Sequence, residues 1–289
     1  MIVRGAERLL VQGITGKQGT FWTERMQEYG TRVVGGVNPK KAGTTHCGVP
    51  VHASAKEAMK NGGFDVSVLF IPPLGVKHAA LDAIEAGAGK IVVLTEHIPV
   101  HDVMYFLAAA RERNVAVLGP NTAGLVTPGE CFVGFMPAFE RDIFTPGRVG
   151  VTSRSGSLGT LICLNLVQAG FGESAFIGIG GDPILGTTTR DALEALDRDP
   201  GTDAVVVVGE IGGAMEESAA EYAAGMRKPV VAFIAGAASP AGKKMGHAGA
   251  IVMGDKGTYK SKRDALERAG VRVLETPSDV GKAVREALG

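Results

Sequence analysis

The chain has 289 residues, 45% of them hydrophobic, which is enough to bury two ordinary cores without disulfide or metal staples. Lys plus Arg and Asp plus Glu both number 30, so no overall field recruits nucleic acid or an anionic membrane, and any anion site has to be local. Cys47, Cys131 and Cys163 lie far apart with no C-x-x-C pair, the opening MIVRGAERLLVQG carries no leader pattern, and no apolar run nears the roughly 18 residues of a membrane span; a soluble, cytoplasmic protein without thiolate metal sites is expected.

In chain order, RLLVQ, RVVGGV, DVSVLFI and KIVVLT read as strands, and stretches 17–29, 76–87 and 101–113 read as helices. That alternation predicts βαβ units on a parallel sheet. After NVAVLGPN the pattern breaks into a Gly-, Pro- and aromatic-rich stretch, and residues 123–147 read as the domain join. It resumes with strands at RVGVTS, SAFIGIG, AVVVVGE, PVVAFIAG and VRVLE, and helices near 157–169, 187–198, 214–226, 259–269 and 278–288. The expected fold class is α/β with two doubly wound halves, divided into residues 1–122 and 123–289.

Gly13, Gly16 and Gly19 in LLVQGITGKQGTFW follow a strand and open a helix, where backbone amides can approach a phosphate at the positive helix end. The spacing is G-x-x-G-x-x-G, and a purely structural turn is the competing reading. Where an NAD-binding fold carries an acid after its second strand, this chain has Asn38-Pro39-Lys40-Lys41. Lysines there favour a phosphorylated adenosine ligand over NAD, unless they simply form a solvated basic loop.

The second half repeats the device. VTSRSGSLG puts Ser155, Gly156 and Ser157 between a strand and a helix, and VVVVGEIGGAMEES makes a third turn around Gly212 and Gly213. Glu210 inside that turn either caps its own helix or orients a basic partner. The candidate partner is His247 in GKKMGHAGAI, flanked by glycines and preceded by Lys243 and Lys244. His46, His52, His78, His97 and His101 have no comparable setting. A phosphorylated imidazole wants helix-end amides around its phosphoryl group and a carboxylate on the other ring nitrogen, and these turns with Glu210 supply both. GAASPAGKK at 236–244 misses the Walker spacing and its Ser or Thr, so a nucleotide site is expected on another chain.

The motifs QGITGKQGTF, YGTRVVGGVNP, GTTHCGVPV, TEHIP, LGPN, TPGE, SRSG, GIGGDP, GEIGG and KKMGHAGAI, in this order across nearly the whole chain, resemble the succinyl-CoA synthetase (succinate–CoA ligase) α-subunit family, which includes malate–CoA ligase and ATP-citrate lyase relatives. The resemblance implies a Rossmann-like CoA-binding domain and a flavodoxin-like ligase domain. It places coenzyme A against Thr15, Gly16, Lys17, Gln18, Lys41, Leu94, Thr95, Glu96 and Asn121. It makes His247 the phosphohistidine and Glu210 its ring partner. Ser155, Gly156, Ser157, Thr160, Gly212 and Gly213 then surround phosphate and acid substrate.

It further implies an ATP-grasp β subunit, in a heterodimer or heterotetramer, that holds ATP or GTP with Mg²⁺, and a small carboxylic acid as substrate. Where the family usually reads T-L-T-Y-E after SRSG, this chain has Ser157-Leu158-Gly159-Thr160-Leu161, so Thr160 replaces the Tyr assigned to acid binding. Thr122-Ala123 stands for Cys-Pro, His97 for a Gly, and Lys40 and Ala42 for glycines beside Lys41. Loss of a bulky Tyr and gain of a small hydroxyl donor would open the pocket to a larger or hydroxylated acid such as malate or citrate in place of succinate, and neutral drift at an unused contact is the competing reading. A non-catalytic CoA-binding subunit and an NAD-dependent oxidoreductase are the competing functional classes.

Overall fold

The computed structural model describes residues 1–239, 246–252 and 257–289. In the first half, β1 (Leu9–Gln12), α1 (Lys17–Tyr29), β2 (Val33–Val37), β3 (Thr45–His46), β4 (Val49–His52) and α2 (Ala55–Lys60) come first. They are followed by β5 (Val66–Leu69), α3 (Val76–Ala86), β6 (Lys90–Val93), α4 (Val100–Glu112) and β7 (Ala116–Leu118). The strands form one sheet in the order β3-β4-β2-β1-β5-β6-β7, parallel except for β3 at the edge. Strands such as VSVL are buried along their whole length because helices cover both sheet faces, which is why they read as continuous apolar runs.

The second half holds β8 (Gly124–Thr127), β9 (Cys131–Gly134), β10 (Pro146–Ser153), α5 (Gly156–Gln168), β11 (Glu173–Gly178), α6 (Thr189–Arg198) and β12 (Ala204–Glu210). After these come α7 (Met215–Ala223), β13 (Val230–Ala235), α8 (Tyr259–Arg268), β14 (Arg272–Leu274) and α9 (Val280–Leu288). The sheet order is β14-β13-β12-β10-β11-β8-β9. Its five parallel strands follow the flavodoxin order, and the antiparallel hairpin β8–β9 extends the β11 edge.

That hairpin occupies much of the stretch 123–147 expected as the domain join. Residues 124–134 are sheet, and Gly124 and Gly134 at its ends have φ of 107° and 128°, so two glycines in unusual backbone regions had disguised a strand pair. The hairpin also ties the halves together. Thr31 Oγ1 donates to the Phe132 carbonyl at 2.8 Å and accepts from the Phe132 N–H at 3.1 Å, while the Trp22 ring of α1 meets Phe132 edge-on. Val11 and Met26 of the first half and Phe132, Val151 and Phe176 of the second accordingly share one core.

Each sheet has one point where strand order reverses, at β1/β5 in the first and β10/β12 in the second, and crevices form there at the carboxyl ends of the strands. Both sets of glycine turns leave the sheets at these points. Among the described residues, no helix is long and apolar enough to cross a membrane.

Candidate active site

At the first crevice, the turn from β1 to α1 closes on itself. A Cβ on Gly13, where φ is 82°, would sit 2.3 Å from the Phe70 carbonyl oxygen, and one on Gly19 would sit 2.2 Å from that of Gly13. Glycine at both places lets the helix start tightly against the strand. Gly16 is the N-cap, with no side-chain cap and no acidic residue in the first turn, so the positive helix end is bare.

Gly16, Lys17 and Gln18 are exposed, and half-buried Thr15 accepts a hydrogen bond through Oγ1 from Asn38 Nδ2. Lys40 and Lys41 stand exposed on a 3₁₀ turn after β2. After β6, Leu94 is buried, Thr95 Oγ1 donates to the Ile71 carbonyl at 2.7 Å, and Glu96 is exposed. These residues share one carboxyl edge, where bare amides and lysines suit a phosphorylated ligand; Asn38 occupies the place that an acid takes in NAD sites.

At the second crevice, Arg154 follows β10 and Glu210 ends β12, the neighbouring strand. His247 arrives from the loop before α8, and its Nδ1 lies 2.7 Å from Glu210 Oε2. The Glu210 carboxylate thus meets the imidazole, and α7 has no side-chain cap. The ring rests on backbone, for a Cβ on Gly181 would come 2.5 Å from Cγ of His247. The Glu210 hydrogen bond raises the His247 pKa above the ordinary value, while burial and the charge of Arg154 pull it down.

His247, Arg154, Ser155, Gly156, Ser157 and Thr160 line a single cleft of about 380 Å³, together with Asn121 and Ala123 from the crossover between halves. Ser155 caps α5 by accepting from the Leu158 N–H at 3.3 Å, and the first-turn amides of such a helix have no partner within it. The Thr160 hydroxyl donates back to the Gly156 carbonyl at 2.8 Å, so it presents the cleft with an acceptor and a methyl group rather than a donor.

The third turn is built differently. Gly212 has its N–H on the Gly257 carbonyl at 2.8 Å, and a Cβ there would lie 2.1 Å from the Gly249 carbonyl oxygen. It therefore offers the histidine loop a close backbone approach more than a donor. Gly213 is exposed, and its carbonyl accepts from Lys262 Nζ at 3.2 Å. Lys243, Lys244 and most of the Walker-like stretch 236–244 lie outside the described residues.

A CoA binding domain model matches residues 6–97, and a CoA-ligase model matches residues 152–272. The α subunit of an ADP-forming succinate–CoA ligase from Methanothermobacter thermautotrophicus is 50% identical over 98% of this chain and 95% of its own length. The chain belongs to the succinate–CoA ligase α-subunit family. Another relative, a subunit of an ADP-forming sulfoacetate–CoA ligase from Bilophila wadsworthia, is 43% identical over 98% of the chain and 97% of its own. Among solved structures, ATP citrate lyase from Methanothrix soehngenii in complex with citrate and coenzyme A has 25% identity and a TM-score of 0.87. All of this chain aligns there with 50% of that one, so the chain spans half its length.

As a member of this ligase family, the chain carries an acid–thiol ligase domain beside a domain that binds CoA. Four residues in the second crevice were not singled out by sequence. Arg154 and Asp182 stand in the SRSG and GIGGDP motifs, and their inward direction has no signature in the letters alone. Glu216 and Lys262, both fully buried and paired, sit beneath the Glu210 turn: Glu216 Oε1 accepts from the Glu210 N–H at 3.3 Å. Asn121, with φ of 55°, joins the two crevices. Its N–H donates to the Thr95 carbonyl at 3.0 Å, its carbonyl accepts from the Gly181 N–H at 3.1 Å, and its Nδ2 donates to Asp182 Oδ1 at 2.9 Å.

Proposed function

We propose that this chain is the CoA-binding, phosphoryl-carrying α subunit of an ADP- or GDP-forming acid–CoA ligase, working with an ATP-grasp β subunit that holds ATP or GTP and Mg²⁺. The observation that carries the reading is the 2.7 Å hydrogen bond between His247 Nδ1 and Glu210 Oε2 in a cleft that also receives the start of α5. With Nδ1–H donated to the carboxylate, Nε2 keeps its lone pair and is the nitrogen that attacks the terminal phosphoryl group. The N–P bond forms as the nucleoside diphosphate leaves. The capped end of α5 meets the added negative charge with amides and the Ser155 and Ser157 hydroxyls. Breaking of that N–P bond by a carboxylate oxygen then yields an acyl phosphate and restores the imidazole.

Thr15, Gly16, Lys17, Gln18, Lys41, Leu94, Thr95 and Glu96 hold CoA, which supplies the accepting thiol; Asn121 stands between that site and the histidine loop. The proposed division is a CoA-binding domain over 1–122 and a ligase domain over 123–289, in agreement with the pairing of β8 to β11. A cytoplasmic setting agrees with three unpaired cysteines.

Succinate is the proposed acid, because relatives at 50% and 45% identity are succinate–CoA ligases. A second reading, a bulkier acid such as malate or citrate, is favoured by Thr160, which leaves the cleft wider than a Tyr would. Thr160→Tyr should then sharpen the preference for succinate over malate, and an unchanged ratio removes this reading. The phosphoryl assignment itself is tested by mixing the chain with its β partner, Mg²⁺ and γ-labelled ATP or GTP. Wild type takes up acid-labile, alkali-stable phosphate and His247→Asn takes up none; equal labelling of the two rejects it.

A further inference from the structure

An arginine in a strand-to-helix turn ordinarily sends its guanidinium to water. Arg154 sends its own inward and is 3% exposed. Nη2 lies 3.3 Å from Glu210 Oε1 and 3.5 Å from the Asp182 carbonyl oxygen. Nε and Nη1, and Oε1 of Glu210 as well, are buried with no hydrogen-bond partner among the described residues, so the contact with Glu210 is an ion pair and not a hydrogen bond. The histidine loop presses on this group, since a Cβ on Gly249 would come 2.5 Å from Nη2. A cation withdrawn from water with donors unused is costly, and such groups are kept where their charge has a task.

Among the described residues, three charged groups act on the His247 ring: Glu210 from β12 by hydrogen bond, and Asp182 from the turn after β11 and Arg154 from the turn after β10 through their charge. The two carboxylates favour imidazolium, which has no lone pair with which to attack phosphorus. The positive charge of Arg154 opposes them.

We propose that Arg154 is a positioning residue of the phosphoryl site: its buried charge holds the Glu210 carboxylate by ion pairing so that Oε2 stays on Nδ1 of His247, and it draws the ring towards the neutral, attacking form. The same charge offsets the roughly two negative charges that a phosphoryl group adds. This rests on His247 being the phosphoryl acceptor.

The test reads the ring before any phosphoryl transfer. With histidines isotope-labelled, His247 is titrated by NMR in the wild-type chain, Arg154→Met and Arg154→Lys. The midpoint should rise by about one pH unit in Arg154→Met and return towards wild type in Arg154→Lys. In complex with the β subunit, Arg154→Met should phosphorylate roughly threefold to tenfold more slowly at pH 7 and recover as pH rises, because a one-unit rise lowers the neutral fraction by up to tenfold, and by less near the midpoint. An unmoved midpoint in folded Arg154→Met, or a rate lost equally at every pH, overturns the proposal. Should the methionine variant not fold by thermal melting, Arg154→Gln against Arg154→Lys makes the same comparison: glutamine raises the midpoint and lysine does not, and the reverse order overturns it. If wild-type His247 takes no phosphate at all, the proposed function fails while the titration still reports on Arg154, so the two failures are separable.

Discussion

The helix ends of α1 and α5 leave parallel sheets through similar glycine turns, yet they are charged in opposite manners. The α1 end is bare, with exposed Lys17, Lys40 and Lys41 around it and no carboxylate in its first turn. The α5 end adjoins a buried chain of charges, Arg154, Glu210 and half-buried His247, backed by the fully buried pair Glu216 and Lys262. An open basic rim suits a ligand that arrives and leaves by diffusion, because solvated lysines cost little when the ligand is gone. A charge carried covalently on the protein needs a fixed, desolvated counter-network.

The largest effect should come from cutting that network at its base. Lys262→Met leaves Glu216 buried without its cation and should cost about 3–5 kcal/mol. A melting temperature within a degree of wild type would mean that the second half does not depend on buried charge. Next, Glu210→Gln should slow phosphorylation of His247 by about a hundredfold or more, through loss of orientation and charge, while CoA binding measured by calorimetry stays as it was. Loss of CoA affinity instead would erase the distinction between the two crevices.

Buried charge in the second half also responds to pH, through Glu173. Buried at the start of β11, with Oε2 on the Thr145 N–H at 3.1 Å, it is pushed up to about 8 by desolvation. A folded pKa above the unfolded one means stability that is present below about pH 4.5 and is lost as pH rises towards 8. Glu173→Gln should therefore melt about 5 °C or more above wild type at pH 8, with little gain at pH 4.5. Equal gains at both pH values would rule out this cause. The smallest change is at the open rim, where Lys40→Ala with Lys41→Ala should weaken CoA about threefold to tenfold, more at low salt, and leave phosphorylation untouched.

Much of the architecture was legible because the period of the pattern changes cleanly between strand and helix. The stretch 17–29 became α1 at Lys17–Tyr29, and each apolar run of the second half became a parallel strand. The hairpin was not legible, since its glycines, aromatics and Pro-rich flanks carry turn signals and its partner is a strand some 50 residues on, as in the pairing of Val126 with Phe176. Segments β3, β4 and α2 are too short to show a period.

At the site, glycine flanks pointed to His247 and an odd carboxylate pointed to Glu210, and the two meet in space. What sequence does not carry is burial of charge. Lys262 lies 46 residues from Glu216, and only the fold shows that a lysine in a polar-looking helix is wholly enclosed. Arg154 is concealed in the same way, one residue before the serine that the glycine turn draws attention to.

In the proposed mechanism, Glu210 reserves Nδ1 of His247 and leaves Nε2 for phosphorus. Phosphorylating a ¹⁵N-histidine-labelled chain with its partner and recording ³¹P–¹⁵N couplings tests this most directly. Phosphorus coupled to Nε2 of His247, with Nδ1 still protonated, is the predicted result. Phosphorus on Nδ1, or on any other residue, would contradict it.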